Sequence, residues 1–408
     1  MKCRHCRAEV SLPFVDLGSA PPSNAYLKPA DLDRPERWFP LRVLACERCW
    51  LVQTQDFAAA EELFDADYAY FSGFSRSWLE HAERYVARMA DMLSLGRDSH
   101  VVEVAANDGY LLQYVAGRGI PCTGIEPTAS TAAAARAKGL SIVEEFFGTA
   151  LAERLRGTLP QADLMVANNV LAHVPDIVNF MRGFSMMLGP QGVATFEFPH
   201  LMRLMTGGQF DTIYHEHFSY LSLGAVERIA GSSGLSVFDA EELPTHGGSL
   251  RVFTQRADSG RRSRAAAVDG ILAAERAAGL ERPETYRGFQ ARAEAARDGL
   301  VRFLIDARRD GRRVAAYGAA AKGNTILNFA GIRPHLLTMV ADGNPAKQGR
   351  FMPGSRIPIV APEQLDGFRP DDLLVLPWNI LEEVKRNNAH LAARGTRFIT
   401  AIPELAIS

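Results

Sequence analysis

The decapeptide Asp211 to Tyr220, DTIYHEHFSY, sets a phenol, an imidazole, a carboxylate and a second imidazole on consecutive residues: Tyr214, His215, Glu216 and His217. An imidazole takes or gives a proton near neutral pH. A carboxylate orients it or acts as base itself, and a phenol donates to a developing oxyanion. Read as an extended segment, the stretch alternates: Tyr214 and Glu216 share one face, His215 and His217 the other. A bend or a bound substrate is then needed to bring the four together. A polar loop with two unrelated histidines is the bland alternative. His-x-His as two metal ligands ranks below acid–base work, because no further Cys/His pair follows nearby.

Metal chemistry points elsewhere. Cys3 and Cys6 form one Cys-x-x-Cys pair, Cys46 and Cys49 another. Four thiolates suit a tetrahedral Zn²⁺ with no open coordination position, a structural site that stabilises a small unit with little core of its own. A redox dithiol would explain only one pair. The intervening PFVDLGSAPPSNAYLKP reads as loops and short strands. Cys122 stands alone and is expected to be a small buried apolar residue. Tyr68, Tyr70 and Phe71 crowd FDADYAYFSGFS and suit core, a domain seam or the rim of a cleft.

These groups need a scaffold. Ser75 to Leu95 keeps helical spacing through Trp78, Leu79, Ala82, Tyr85, Val86, Met89, Met92 and Leu93. Strand and helix then alternate through HVVEVA, YLLQYVAGRG, PCTGIEP, STAAAARAKG, SIVEEFF, ADLMVANNV and GVATFEFP, which predicts a parallel, doubly wound sheet. Ligands of such a sheet sit beyond the carboxyl ends of its strands. The candidates are Glu103, Asn107, Asp108 and Gly109 after the first strand, Glu126 after the second, and Asn168, Asn169 and His173 after the fourth. Glu126 follows Glu103 at about the offset of a ribose-binding acid. The turn EVAANDG keeps only the last glycine of a diphosphate-binding fingerprint. Its acidic neighbours suit the cationic, phosphate-free S-adenosylmethionine (SAM) better than NAD. His246, before two glycines in PTHGGSLR, lines a cleft or caps a turn.

Residues 260 to 310 read as helices broken at Pro283. A second α/β unit follows in RRVAAYG, GAAAKGN, TILNFAG and LLTMVAD, then DDLLVLPWNI with Trp378 and Asn379. Gly318, Lys322 and Gly323 at a helix start could hold a phosphate, although the P-loop spacing is absent. The whole chain has 408 residues, 47% hydrophobic and 23% charged, with a formal net charge of −2. That balance argues against nucleic acid and anionic membranes as partners. No apolar run reaches the ~18 residues needed to span a bilayer. The N-terminus has no signal-peptide core, so a cytoplasmic protein is expected, monomeric or a small homo-oligomer.

Taken together, CRHC, CERC, DYAYFSGFS, VVEVAANDG, GIEP, ANNVLAHVP, IYHEHFSY, HGGSLR, YGAAAKGNTILNF and DLLVLPWN give the chain a resemblance to one family, nearly end to end. It resembles the SAM-dependent sugar C-methyltransferases that act on nucleotide-linked 4-keto deoxysugars. The resemblance implies a zinc-binding domain (residues 1–72), a SAM-binding methyltransferase domain (73–253) and a C-terminal Rossmann-like domain (254–408). It implies that Cys3, Cys6, Cys46 and Cys49 hold zinc, that Tyr214, Glu216 and His217 line the sugar with Tyr68 reaching in, and that His217 is the base. Ala105 stands where the family usually has glycine. His215 falls at a position that varies in the family and is given no catalytic role.

The expected reaction is removal of the C3 proton beside the C4 ketone of a nucleotide-linked sugar, with dTDP as the expected carrier, and methylation of the enolate carbon. His217 is the expected base, Glu216 its orienter or substitute, and Tyr214 and Tyr68 donors near the keto oxygen. His246, Lys322, Trp378 and Asn379 are expected on the substrate, Lys322 at its phosphates. The rivals are methylation of a sugar oxygen or nitrogen, an NAD-dependent oxidoreductase using the C-terminal unit, a non-catalytic nucleotide-sugar binder, and a zinc-dependent nucleic-acid binder.

Overall fold

A computed structural model describes residues 1–57 and 71–408. The chain opens on β1 (Leu12–Ala20), β2 (Phe39–Ala45) and β3 (Val52–Thr54). These pair antiparallel, and a fourth strand completes their sheet from far along the chain: β9 (Ser219–Tyr220) pairs with β3.

Helix α1 (Arg76–Leu93) follows, started by Ser75, whose side chain accepts the Trp78 N–H. Such a cap is worth about 1 kcal/mol. Its apolar stripe buries Trp78, Ala82, Tyr85, Val86 and Met89 as the spacing predicts, but Met92 lies on the exposed side. Then come β4 (Val101–Val104), α2 (Leu112–Gly117), β5 (Cys122–Ile125), α3 (Ala129–Ala137), β6 (Ile142–Val143), α4 (Thr149–Arg156), β7 (Ala162–Asn168), α5 (Ile177–Met187) and β8 (Leu188–Pro199). After the Asp211–Tyr220 stretch the chain forms α6 (Leu223–Ser232), β10 (Leu235–Leu243) and β11 (Ser249–Arg256).

The strand order is β10-β11-β8-β7-β4-β5-β6. The expected parallel sheet holds from β6 to β8, but β11 enters antiparallel between β8 and β10. Alternate residues of its strands feed two cores. Val101, Leu164 and Val193 pack with α1 and α2 on one face. Val102, Val104, Met165 and Ala194 pack with α4, α5 and α6 on the other. This is the doubly wound arrangement, both faces covered by helices. Cys122 is only half-buried, because it begins its strand at the sheet's end rather than in the core.

Helices α7 (Ala266–Ala277), α8 (Pro283–Arg287) and α9 (Phe289–Arg309) lead to the last unit, with Pro283 at the first turn of α8. That unit contains β12 (Val314–Tyr317), α10 (Ala321–Phe329), β13 (Val340–Ala341), β14 (Ile359–Val360), β15 (Asp372–Val375), β16 (Arg397–Thr400) and β17 (Ala406–Ile407). Its order, β14-β13-β12-β15-β16-β17, is that of a dinucleotide-type sheet with an antiparallel last strand. One core joins its Val314, Ala316 and Leu374 to Leu12, Phe14 and Leu41 of the first sheet. Leu27 makes an antiparallel bridge with Phe351, so the first unit also touches the last directly. No described helix is long and apolar enough to cross a membrane.

Candidate active site

Tyr214 to His217 is a turn, not an extended segment. The His217 N–H donates to the Tyr214 carbonyl at 2.9 Å. The turn folds the phenol onto the imidazole, with ring centres 4.0 Å apart. Alternation therefore fails here: Tyr214 pairs with His217, and the other two side chains leave in different directions. His215 turns to the first unit, where its Nε2 donates to the Phe39 carbonyl at 3.2 Å and its ring meets Phe39 edge-on.

Glu216 is fully buried, and its Oε1 accepts from the Asn24 amide at 3.1 Å. Burial pushes its carboxyl up, against the smaller pull of the groups at Asn24 and Ser23. It does not orient His217. That task belongs to the Thr212 carbonyl, which accepts from His217 Nδ1 at 2.9 Å. The bond places the proton on Nδ1 and leaves the lone pair on Nε2. Burial, then neighbouring His173, Lys322 and His246, hold the His217 ring well below ordinary imidazole acidity, so it is neutral at pH 7.

His173 stands beside this ring, 4.6 Å between centres, and its Nδ1 donates to the Glu216 carbonyl at 2.8 Å. It thus joins the end of β7 to the Tyr214–His217 turn. Burial lowers it to about 4. His246 has a left-handed backbone, φ 55°, between Thr245 and two positive-φ glycines. Its Nε2 accepts from the Asn169 amide at 3.1 Å, and its ring tilts against Trp78. Burial lowers it, too, to about 4.

Two groups pin that loop. Thr245 Oγ1 donates to Glu197 at 3.1 Å. Glu197 is fully buried; burial raises its carboxyl, but His81 and Arg251 outweigh this and hold it below its usual range. From the other side Trp378 packs on Gly247 so closely that a Cβ would collide with the indole.

The C-terminal unit closes the site. Lys322, half-buried at the start of α10, donates to Asn379 at 2.9 Å and lies 4.8 Å from the centre of a Trp378 ring. Burial lowers its ammonium, partly opposed by Asp211. His173, His217, His246, Lys322, Trp378 and Asn379 therefore converge on one seam. Tyr68 lies outside the described residues.

The proposed cofactor residues gather at the carboxyl ends of β4, β5 and β7. Ala105, Asn107 and Gly109 all have positive φ, so this turn doubles back three times. Gly109 is obligatory, since a Cβ would strike Leu140. Glu126 accepts the N–H groups of Asn107 and Thr128, each at 2.9 Å, which fixes its carboxylate against the turn. Glu103 is fully buried, and burial pushes its carboxyl well up. Asp108 Oδ1 and both side-chain polar atoms of Asn168 are buried without hydrogen-bond partners. Unsatisfied acceptors and buried acids suit a ligand with cationic groups and hydroxyls and repel one with phosphates. The residues present fit S-adenosylmethionine.

The four cysteine sulfurs lie within 4.8 Å of one another, with Cys3–Cys49 and Cys6–Cys46 at 3.5 Å. Tetrahedral zinc thiolate needs about 3.8 Å between sulfurs. None of the four is in a disulfide, so all four sulfurs are free to share one cation. The donor set fits zinc.

The site residues that the sequence did not assign to the site are Asp211, Thr212, Asn24 and Trp78, the last read only as helix core. Only Asp211 carried a signal, as a carboxylate within the histidine-rich decapeptide.

A zinc binding domain model matches residues 3–64, a methyltransferase domain model residues 78–240, and a C-methyltransferase C-terminal domain model residues 244–403. The chain is 34% identical over 403 residues to the C-methyltransferase NovU of Streptomyces niveus, covering 99% of this chain and 96% of that protein. Among solved structures, a SAM-dependent methyltransferase from Clostridium acetobutylicum covers 44% of this chain and 92% of its own, at 9% identity and TM-score 0.34. Magnesium protoporphyrin IX methyltransferase from Synechocystis, solved with bound SAH, covers 44% of this chain and 82% of its own, at 14% identity and TM-score 0.34.

Proposed function

This chain belongs to the C-methyltransferase family, with SAM and zinc as its cofactors, and on that premise we propose that it methylates C3 of a nucleotide-linked 4-keto deoxysugar. SAM, when bound, supplies an electrophilic methyl group. The protein's task is to make a carbon nucleophile beside a ketone and to hold it in line. We assign the C3 proton to Nε2 of His217, whose lone pair is set by the Thr212 carbonyl. That is the observation the reading depends on. A neutral, oriented and desolvated imidazole is a general base in waiting. Glu216, turned to Asn24, is the alternative base. Tyr214, its ring tilted against the imidazole, would donate to the oxygen on which negative charge develops. Tyr68 is proposed as a second donor from the first unit.

Lys322 would pair with the substrate's diphosphate, with Trp378 and Asn379 holding the ammonium and His246 lining the sugar. Glu103, Asn107, Asp108, Gly109, Glu126, Asn168 and Asn169 would hold the methyl donor, and His173 would separate it from the base. The proposed division of labour follows residues 1–72, 73–253 and 254–408.

The oxidoreductase alternative is disfavoured by the C-terminal turn. Asp342, placed where an acid would meet a ribose, accepts the Ala319 N–H at 2.7 Å, and Tyr26 and Lys347 both donate to the Ala319 carbonyl. The turn spends its polar groups on the protein itself.

Carbon methylation predicts that the enzyme washes deuterium from D2O into C3 of a nucleotide 4-keto sugar without SAM, read by mass. His217→Gln should abolish both exchange and methyl transfer while SAM binding persists. Methyl transfer by wild type without any exchange at C3 would point to an oxygen or nitrogen acceptor instead.

A further inference from the structure

The short 3-10 turn Phe210–Thr212 carries two contacts that face opposite ways. Asp211 Oδ2 accepts the indole N–H of Trp378 at 2.8 Å, across the seam to the C-terminal unit. On the next residue, the Thr212 carbonyl accepts from His217 Nδ1 at 2.9 Å. Little slack lies between them. Thr212 N–H and Oγ1 both donate to the Gln209 carbonyl, and Ile213 N–H donates to Phe210 at 3.0 Å. Thr325 of α10 donates to the Ile213 carbonyl at 2.7 Å, so the C-terminal unit grips the turn at both ends.

Asp211 is 1% exposed. A carboxylate so placed is tolerated only with partners. Its partners are the Trp378 N–H and, through space, the ammonium of Lys322, which rests on the same indole. Its Oδ1 is buried and meets no donor of regular geometry, so the Trp378 bond is its principal tether.

We propose that Asp211 is a positioning residue. By holding Trp378 it fixes the turn whose Thr212 carbonyl sets the tautomer of His217, and so it couples the seating of the C-terminal unit to the state of the imidazole. Its kinetic consequence rests on His217 being the base; the coupling itself is a property of the ring and is measured without turnover.

The test is ¹⁵N NMR of histidine-labelled, zinc-loaded full-length protein with S-adenosylhomocysteine bound. Trp378→Phe removes the donor but keeps a ring beside Lys322. Asp211→Ala removes the acceptor, and Asp211→Asn keeps one. Trp378→Phe and Asp211→Ala should shift His217 from the single Nδ1–H tautomer to a mixture and lower kcat roughly tenfold or more. Asp211→Asn should keep the tautomer, with its loss appearing in KM for the nucleotide sugar. A His217 signal unchanged in Trp378→Phe, or disturbed as much in Asp211→Asn as in Asp211→Ala, would overturn the proposal. Should Asp211→Ala not fold, the other two variants decide. Full turnover in His217→Gln would instead remove the base assignment, leaving the tautomer response to judge Asp211.

Discussion

At the scale of single residues, the base role proposed for His217 requires an uncharged ring, and its surroundings favour that form. Burial comes first, followed by His173, Lys322 and His246. The folded value lies below the ordinary imidazole value of about 6.5. A base must be deprotonated, so activity falls as pH falls through that folded value. The acid limb of kcat/KM, which reports the free enzyme, should therefore lie below the ordinary imidazole value. A diphosphate paired with Lys322 would cancel that cation's effect and raise the imidazole in the complex. The acid limb of kcat should then lie at higher pH than that of kcat/KM. Coincident limbs, or the reverse order, in a pH–rate series would argue against a diphosphate at Lys322. The sequence made the chemical inventory of this region legible, since four adjacent functional groups and two Cys-x-x-Cys pairs need no partners to be noticed. It hid who meets whom. Tyr214 reaches His217 because a single backbone bond bends the chain, and Glu216 finds Asn24 from a loop nearly two hundred residues earlier, a contact no local pattern encodes.

At the scale of elements, the cofactor turn is the most strained piece of backbone near the site. Ala105 takes a φ of 61° where glycine would be at ease. A left-handed alanine costs about 1–2 kcal/mol, while glycine returns roughly 0.4–1 kcal/mol of that by loosening the unfolded chain. Ala105→Gly should therefore raise stability by up to ~1 kcal/mol in denaturant titration. SAM affinity by calorimetry should change little, because the Glu126 anchors attach to the backbone of Asn107 and Thr128 instead. A clear loss of stability would mean that the methyl group packs better than its backbone is strained. The departure at Ala105 could be read from the chain; the positive φ that gives it meaning could not. Strands were easier to see than their partners. GVATFEFP and SVFDAEEL read correctly as strands, yet β11, hidden behind the His246 loop, separates them antiparallel in the sheet.

At the scale of the whole molecule, Cys3 of the zinc cluster and the Tyr214–His217 turn are four hydrogen bonds apart. Gln53 Nε2 donates to Cys3 Sγ at 3.4 Å, and its Oε1 accepts the Arg4 N–H at 2.9 Å. The Arg4 guanidinium donates to the Thr54 carbonyl at 2.8 Å and lies over the Phe218 ring. Thr54 Oγ1 donates to the His217 carbonyl, and the Thr54 N–H to Phe218. The cysteine cluster is therefore linked to the backbone of His217 without touching its ring. Stripping zinc with a chelator should lower both Tm and turnover, in proportion to residual metal, and readdition should restore them. Full activity in protein shown by elemental analysis to have lost its zinc would sever that link. Thr54→Ser should preserve kcat and Thr54→Val should reduce it. The three-part plan was legible from motif order, but not this chain of support, since it joins residues from the first and middle thirds of the sequence.

The pairing of Ser219–Tyr220 with β3 has a consequence for how such proteins are made and rearranged. A ribosome must deliver about 165 residues after β3 before that sheet receives its last strand, so the sheet stays open until the histidine-rich decapeptide is made. Recombination that transplants only the leading segment between relatives would leave the graft's own closing strand behind. Functional chimeras should instead inherit the opening segment and the histidine-rich decapeptide together.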